Sequence, residues 1–176
     1  MTTTYTISIY SENNVGLLNR ISAIFLKRHI NIESLATSPS EITDVFRFVI
    51  VVNVTEPQVQ KLVQQIEKQV DVIKVYYHTD EETIFQETAL YKVKTNFLFE
   101  ERQIQNFIKQ SHASIVTVSP EFFVIEKTGF RHETEQLREQ LAPFGLLQFV
   151  RSGRLSVSKA PMGISKILNS FTENNQ

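Results

Sequence analysis

Residues 4–30 read TYTISIYSENNVGLLNRISAIFLKRHI, and the spacing of apolar residues changes once within them. At the start, Tyr5, Ile7 and Ile9 alternate with Thr4, Thr6, Ser8 and Tyr10, the period of two that marks a strand with one buried face. From Gly16 onward, Leu17, Leu18, Ile21, Ile24 and Phe25 follow three-and-four spacing, which makes one apolar stripe of a helix. Between the two lies a polar junction, SENNVGLLNR at 11–20, with the adjacent asparagines Asn13 and Asn14 and the first glycine of the chain.

The same alternation of periods continues outward. A short strand is expected over 31–38, ended by Pro39 and the polar stretch 40–44. Residues 45–54 are rich in β-branched and aromatic side chains, the composition that suits a pleated, buried surface. Glu56 and Pro57 open a second helix, where proline is tolerated in the first turn, striped by Val59, Leu62, Val63, Ile66 and Val70. A strand over 72–77 closes a β-α-β-β-α-β unit.

After the polar stretch 78–83 the order restarts. Strands are expected over 88–95, 114–118, 122–127 and 146–150, with helices over 100–111 (Ile104, Phe107 and Ile108 inward) and 131–141 (Leu137 and Leu141 inward). The fold class read from this is α+β: two consecutive ferredoxin-like βαββαβ units, with the helices on one face of each antiparallel sheet. The expected boundaries are a first domain at 1–78, a linker at 79–86, a second domain at 87–159 and a flexible tail at 160–176. Polarity and Gly153, Pro161 and Gly163 argue for little order beyond 152. The helix-free face of each sheet needs a cover, whether another sheet, another subunit or a ligand, and a homodimer is expected on that ground.

Composition narrows the function. The chain has 176 residues, 41% hydrophobic and 21% charged, with a formal net charge of −1 and no cysteine. The charge balance lacks the basic footprint of a nucleic-acid binder. The missing thiols remove disulfides, thiolate nucleophiles and sulfur-ligated zinc. MTTTYTISIY has no signal-peptide layout, and no apolar run approaches the roughly 18 residues of a membrane helix, so a cytoplasmic protein without membrane partners is expected. The histidines at 29, 78, 112 and 132 form no metal-ligand spacing and are read as surface or helix-end residues. No G-x-S-x-G elbow, G-x-G-x-x-G loop or P-loop occurs. Asp80, Glu81, Glu82 and Glu87 read as a solvated acidic linker, with no apolar wall to shift a carboxyl pKa. Phe46 and Phe48 share a strand face that could stack bases, but the glycine and leading basic residue of the RNA-binding pattern are missing. No catalytic residue and no metal ligand is assigned, and the chain is not read as an enzyme.

Two readings of the junction remain open on the residues alone. Asparagine is a favoured helix cap and glycine eases a tight turn. A strand-to-helix turn also aims backbone N–H groups at the positive end of a helix, a seat for a carboxylate. A residue without a Cβ lets a ligand approach, and an asparagine amide can meet both ends of a zwitterion. The basic residues Arg151, Arg154, Lys159 and Lys166, set against Glu173 alone, are read either as a solvated tail or as a dock for an acidic partner surface.

The stretch ENNVGLLNRISAIFLKRHINIESL, followed by SPSEITDVFRFVIVV, closely resembles the ACT domain of the small, regulatory subunit of acetolactate synthase (acetohydroxyacid synthase). The residues that carry the likeness are Glu12, Asn13, Gly16, Leu18 and Arg20, then Asn31, Ile32, Glu33, Ser34 and Leu35. It continues in VDVIKV at 70–75 and in PFGLLQFVRSGRLSVSKAP, through Phe144, Gly145, Arg151, Ser152 and Gly153. The 128–134 stretch TGFRHET matches only loosely. The resemblance implies a regulatory homodimer that activates a catalytic (large) subunit and confers feedback inhibition by valine, leucine or isoleucine in branched-chain amino-acid biosynthesis. The effector pocket it implies has the turn Asn13, Asn14, Val15, Gly16, Leu17 and Leu18 as one wall, and Asn31 and Ile32 of the other protomer as the second. No cofactor is expected on this chain. Thiamine diphosphate and Mg, with FAD left open, would belong to the catalytic partner. The rival reading is a stand-alone ACT-type amino-acid sensor that controls another enzyme or transcription.

Overall fold

The computed structural model describes residues 1–96 and 102–173. The chain forms two compact units, one of residues 1–85 with 154–176 and one of residues 86–153.

In the first unit, β1 (Thr3–Glu12), α1 (Leu17–Lys27), β2 (Ser34–Pro39), β3 (Val45–Val54), α2 (Glu56–Glu67) and β4 (Val72–Thr79) follow one another. The four strands lie in the order β2-β3-β1-β4, every neighbouring pair antiparallel. Alternation along β1 sends Tyr5, Ile7 and Ile9 to one face, where Phe48, Ile50 and Val52 of β3 join them. Leu17, Ile21, Ile24 and Phe25 of α1 and Val59, Leu62, Val63 and Ile66 of α2 close this core from above. Phe48 is therefore core and Phe46 packs against it, so neither ring offers a platform for bases. A capping box at Thr55 and Gln58, with proline in the first turn, starts α2. The helix ends at Glu67, which leaves the expected stripe residue Val70 exposed in the following turn.

The second unit repeats the topology. It contains β5 (Thr83–Lys94), which the boundary of the units crosses, then α3 (Arg102–Gln110), β6 (Ser114–Val118), β7 (Phe122–Gly129), α4 (Arg131–Leu141) and β8 (Leu146–Arg151). The strand order is β6-β7-β5-β8, the same order as in the first sheet. The core holds Ala89, Tyr91, Val93, Ile104, Ile108, Phe123, Ile125, Leu137 and Leu141. Phe107 packs at its edge, while the start expected for α3 at Glu100 lies outside the described residues. His29 and His112 occupy equivalent places just past α1 and α3, both at positive φ, where each reverses the chain at a helix end.

Glu87 is not part of a solvated linker. Its carboxylate lies 2.7 Å from Nε of Arg151 and accepts from the Thr134 hydroxyl at 2.5 Å, and Arg151 also reaches Glu135 at 2.8 Å. The buried Tyr91 hydroxyl donates to the Thr134 carbonyl at 2.7 Å, and burial pushes its phenol far above the ordinary range. Residues 79–86 are likewise ordered, as the 3-10 turn Asp80–Glu82 and the first residues of β5.

The largest departure from expectation concerns the end of the chain. Residues 154–159, expected in the second domain, and residues 160–173 of the expected tail contain β9 (Leu155–Ser158) and α5 (Ile164–Glu173), and they belong to the first unit. Leu168 of α5 is fully buried with Tyr10 and Val45, and Ile42, Ile73, Tyr76 and Ile164 pack around them. Tyr10 lies on the opposite face of β1 from Ile7 and Ile9, so this segment covers part of the helix-free face of the first sheet. The basic residues are tied up in the attachment. Arg154 bonds Asp80 at 2.5 Å and Thr6 at 2.8 Å and sits 3.8 Å above the Phe85 ring. Lys159 donates to the Glu81 carbonyl from its side chain and to the Glu82 carbonyl from its backbone. With Arg151 held by Glu87 and Glu135, three of the four cations read as a docking surface are spent inside their own units.

Candidate functional site: the turn between β1 and α1

Gly16 is the capping residue before α1, and the cap carries no side-chain hydrogen bond. Gly16 stands at φ +86°, and a Cβ built there would meet nothing within 4 Å. Glycine is thus required by backbone conformation, because L side chains are disfavoured in this region, and not by crowding. The space on the Cβ side of Gly16 is open. The expected alternative, an asparagine capping the helix, does not occur. Asn14 turns away and donates to Asp71 at 2.8 Å and to Glu12 at 3.2 Å. Asn13 is exposed, and its side chain has no hydrogen-bond partner among the described residues.

Asp71 and Arg20 hold this geometry. Asp71 sits at positive φ just before β4 and accepts from both Asn14 and Arg20, while Arg20 also reaches the Val70 carbonyl. The hydrogen bonds from Arg20 and Asn14 keep the Asp71 carboxyl below its ordinary range. A carboxyl lowered on folding contributes above its unfolded value of 3.8, and the contribution fades as pH falls through the folded one. The difference in thermal midpoint between the native chain and Asp71→Asn is therefore expected to be flat from about pH 5 to 7 and to shrink below about pH 4. Thermal unfolding across that range checks it.

The eight expected site residues divide by environment. Asn13, Asn14, Val15, Gly16 and Leu18 are exposed at the turn, Val15 completely. Leu17 is 1% exposed and belongs to the core, because it lies on the stripe with Ile21, Ile24 and Phe25. Its side chain therefore lies in the core, whereas the resemblance implies it as part of a pocket wall. Asn31 is exposed and donates to Glu33 at 3.3 Å, whereas Ile32 packs partly against the core. No hydrogen bond among the described residues joins Asn31 or Ile32 to the turn of the same chain. Glu12, Arg20 and Asp71 were not singled out by reading the sequence as a site. The available signal was Asp71 itself, a residue that tolerates positive φ, between a helix and a strand.

Chemically, the turn offers an uncapped helix N-terminus for a carboxylate. Close by is Glu12, which has no cation at ion-pair distance among the described residues. The partial positive charge of the helix end and the Glu12 carboxylate complement the two ends of a zwitterion. Among the described residues no three His, Asp or Glu side chains gather as metal ligands, and no helix is long and apolar enough to cross a membrane.

Comparison with known proteins gives a consistent result. Residues 7–74 match the model of the acetohydroxyacid synthase small subunit-like ACT domain, and residues 86–160 match that of the small subunit of acetolactate synthase. The chain is 35% identical over 161 residues to the acetolactate synthase small subunit of Mycobacterium bovis, which covers 92% of this chain and 95% of that protein. It is 36% identical over 154 residues to the Bacillus subtilis small subunit, covering 87% and 89%. The crystal structure of the small subunit from Thermotoga maritima superimposes with a TM-score of 0.81 at 25% identity, over 90% of this chain and 99% of that one. Both units, their order and their topology thus have counterparts in one set of proteins, and the chain belongs to the acetolactate synthase small-subunit family.

Proposed function

We propose that the chain is the regulatory subunit of an acetolactate synthase, and that it binds a branched-chain amino acid at the turn between β1 and α1. The observation that carries this reading is the start of α1 after Gly16, without a side-chain cap, with open space on the Cβ side of Gly16 and Asn13 exposed. The amino acid's carboxylate would lie at the helix N-terminus, and its ammonium would meet the Asn13 amide oxygen and Glu12. The pocket would be completed in a homodimer by the partner subunit's Asn31 and Ile32. The edge position of β2 supports such pairing, since an edge strand leaves backbone groups free for a second chain. Val15 and Leu18 would meet the aliphatic side chain, and an apolar wall separates ligands differing by one methylene by only ~1–3 kcal/mol. Valine, leucine and isoleucine should therefore all bind.

The catalytic partner would be a large subunit carrying thiamine diphosphate and Mg, with no cofactor on this chain. An effector acts only through its preference for one of two arrangements. Valine held between protomers would favour one packing of the ACT pair and transmit a coupling of ~1–3 kcal/mol to the partner. The test is to mix the purified chain with an acetolactate synthase large subunit. A rise in acetolactate formation that valine then suppresses supports the proposal. Valine binding without any association would favour a stand-alone amino-acid sensor.

A further inference from the structure

A cavity lies within the first unit, on the face of the sheet away from α1 and α2. Its volume is about 380 Å³, within the size range of small-ligand sites. The floor is Ser8 and Tyr10 of β1, Arg47 of β3 and Tyr76 and His78 of β4, and the roof is the segment from Ser156 to Ser165. This cavity exists because the end of the chain folds back, and it is on the opposite face from the core.

Arg47 is its most telling residue. Its Nη2 donates to the Ser156 carbonyl at 2.6 Å and the Ser8 hydroxyl at 3.1 Å, and the guanidinium lies 5.7 Å from the Tyr10 ring centre. No carboxylate among the described residues is at ion-pair distance, and its Nε–H is buried without an acceptor. A half-buried cation held by neutral groups alone lacks the counter-charge that desolvation demands. The hydroxyls of Ser158 and Thr83 and the imidazole of His78 share the cavity, with Ser158 and His78 3.4 Å apart. Met162, Ile164, Val157 and the two tyrosines supply apolar wall. Glu41 also lines the cavity and accepts from Ser165 at 3.2 Å. Its negative charge repels a dianion about twice as strongly as a monoanion, which favours a ligand of single charge on Arg47.

We infer that this cavity is a binding site for a small monocarboxylate with an apolar body, its carboxylate on Arg47 and its body against Met162 and the tyrosines. The site is separate from the effector turn and does not depend on that assignment.

The chain has two methionines, Met1 and Met162. Met1 is fully exposed, so a protein labelled with [13C-methyl]methionine carries its own reference signal. Full-length protein is titrated with 3-methylbutanoate and with benzoate. Expected are a saturable shift of the Met162 signal with Kd below about 5 mM, a still Met1 signal, and a contact in NOE spectra from the benzoate ring to the Met162 methyl. Arg47→Gln should weaken binding at least about tenfold, since it removes a charge-assisted bond. Benzyl alcohol, which has the body without the charge, and inorganic phosphate should leave Met162 unmoved. Gly16→Asp should bind both carboxylates as the native chain does, whatever becomes of valine binding. No shift and no NOE contact with either carboxylate would overturn the inference. So would undiminished binding by folded Arg47→Gln, a response to phosphate or benzyl alcohol, or loss of the response in Gly16→Asp.

Discussion

Gly16→Asp is expected to weaken valine binding at least about 30-fold while the chain stays folded and still activates its catalytic partner. Two like charges 4 Å apart repel by about 4 kcal/mol at an effective dielectric of about 20, and roughly half of that survives at an exposed turn. The introduced Cβ enters open space, so no neighbour is displaced. The remaining cost is backbone strain at φ +86°, about 1–2 kcal/mol for a residue with a Cβ, and aspartate tolerates this region better than most. Gly16→Ala separates the two effects. It carries the strain without the charge, so its valine affinity should lie much nearer the native value. Calorimetric affinities and thermal midpoints of the two variants read both quantities. Equal losses of affinity would assign the effect to the backbone and not to a carboxylate seat.

The second large effect is expected from the end of the chain. A chain stopped after Gly153 loses β9, α5 and every attachment made by Arg154, Ser156 and Lys159. It also uncovers Tyr10 and Val45, which are 4% exposed in the complete protein. Full burial of a leucine such as Leu168 contributes ~1.5–3 kcal/mol, and the Arg154 contacts add to it. A loss of at least ~3 kcal/mol lowers the unfolding midpoint of the first unit by roughly 10 °C or more. Leu168→Ala alone should cost ~2–4 kcal/mol. Both are measured by thermal or denaturant unfolding. A truncated chain as stable as the full one would mean that the segment does not cover the sheet.

These two sites differ in how far the sequence discloses them. The strand β3 matches its expected bounds because ten residues of strong β-propensity are enclosed by turn-forming neighbours, a wholly local signal. The stripe of α1 is also local, although helical geometry, and not hydrophobicity, decides that Leu17 is buried while Leu18 next to it is 41% exposed. Among residues 154–173, Ile164, Ile167 and Leu168 fall at helical spacing, a local signal for α5. The surface that orders the segment, however, lies more than 100 residues earlier, at Thr6, Tyr10 and Val45. No local pattern discloses that surface. The same holds for Glu87, whose partners Thr134 and Arg151 meet it only in the folded sheet. At the turn, Gly16 was legible as a backbone requirement and Asn13 as an open polar group. The brace formed by Asp71, Arg20 and Asn14 needs the return of the chain after α2 and so lay beyond the local sequence.

The claim that joins fold to function is that the turn from Asn13 to Leu18 seats an amino acid. Isothermal titration of the purified full-length chain with valine tests it most directly, with alanine and glutamate as controls and Asn13→Ala as the variant. Saturable heat with valine, much weaker or absent with alanine and glutamate and lost in Asn13→Ala, is the predicted result. No heat with valine, or valine binding that Asn13→Ala leaves intact, would contradict it.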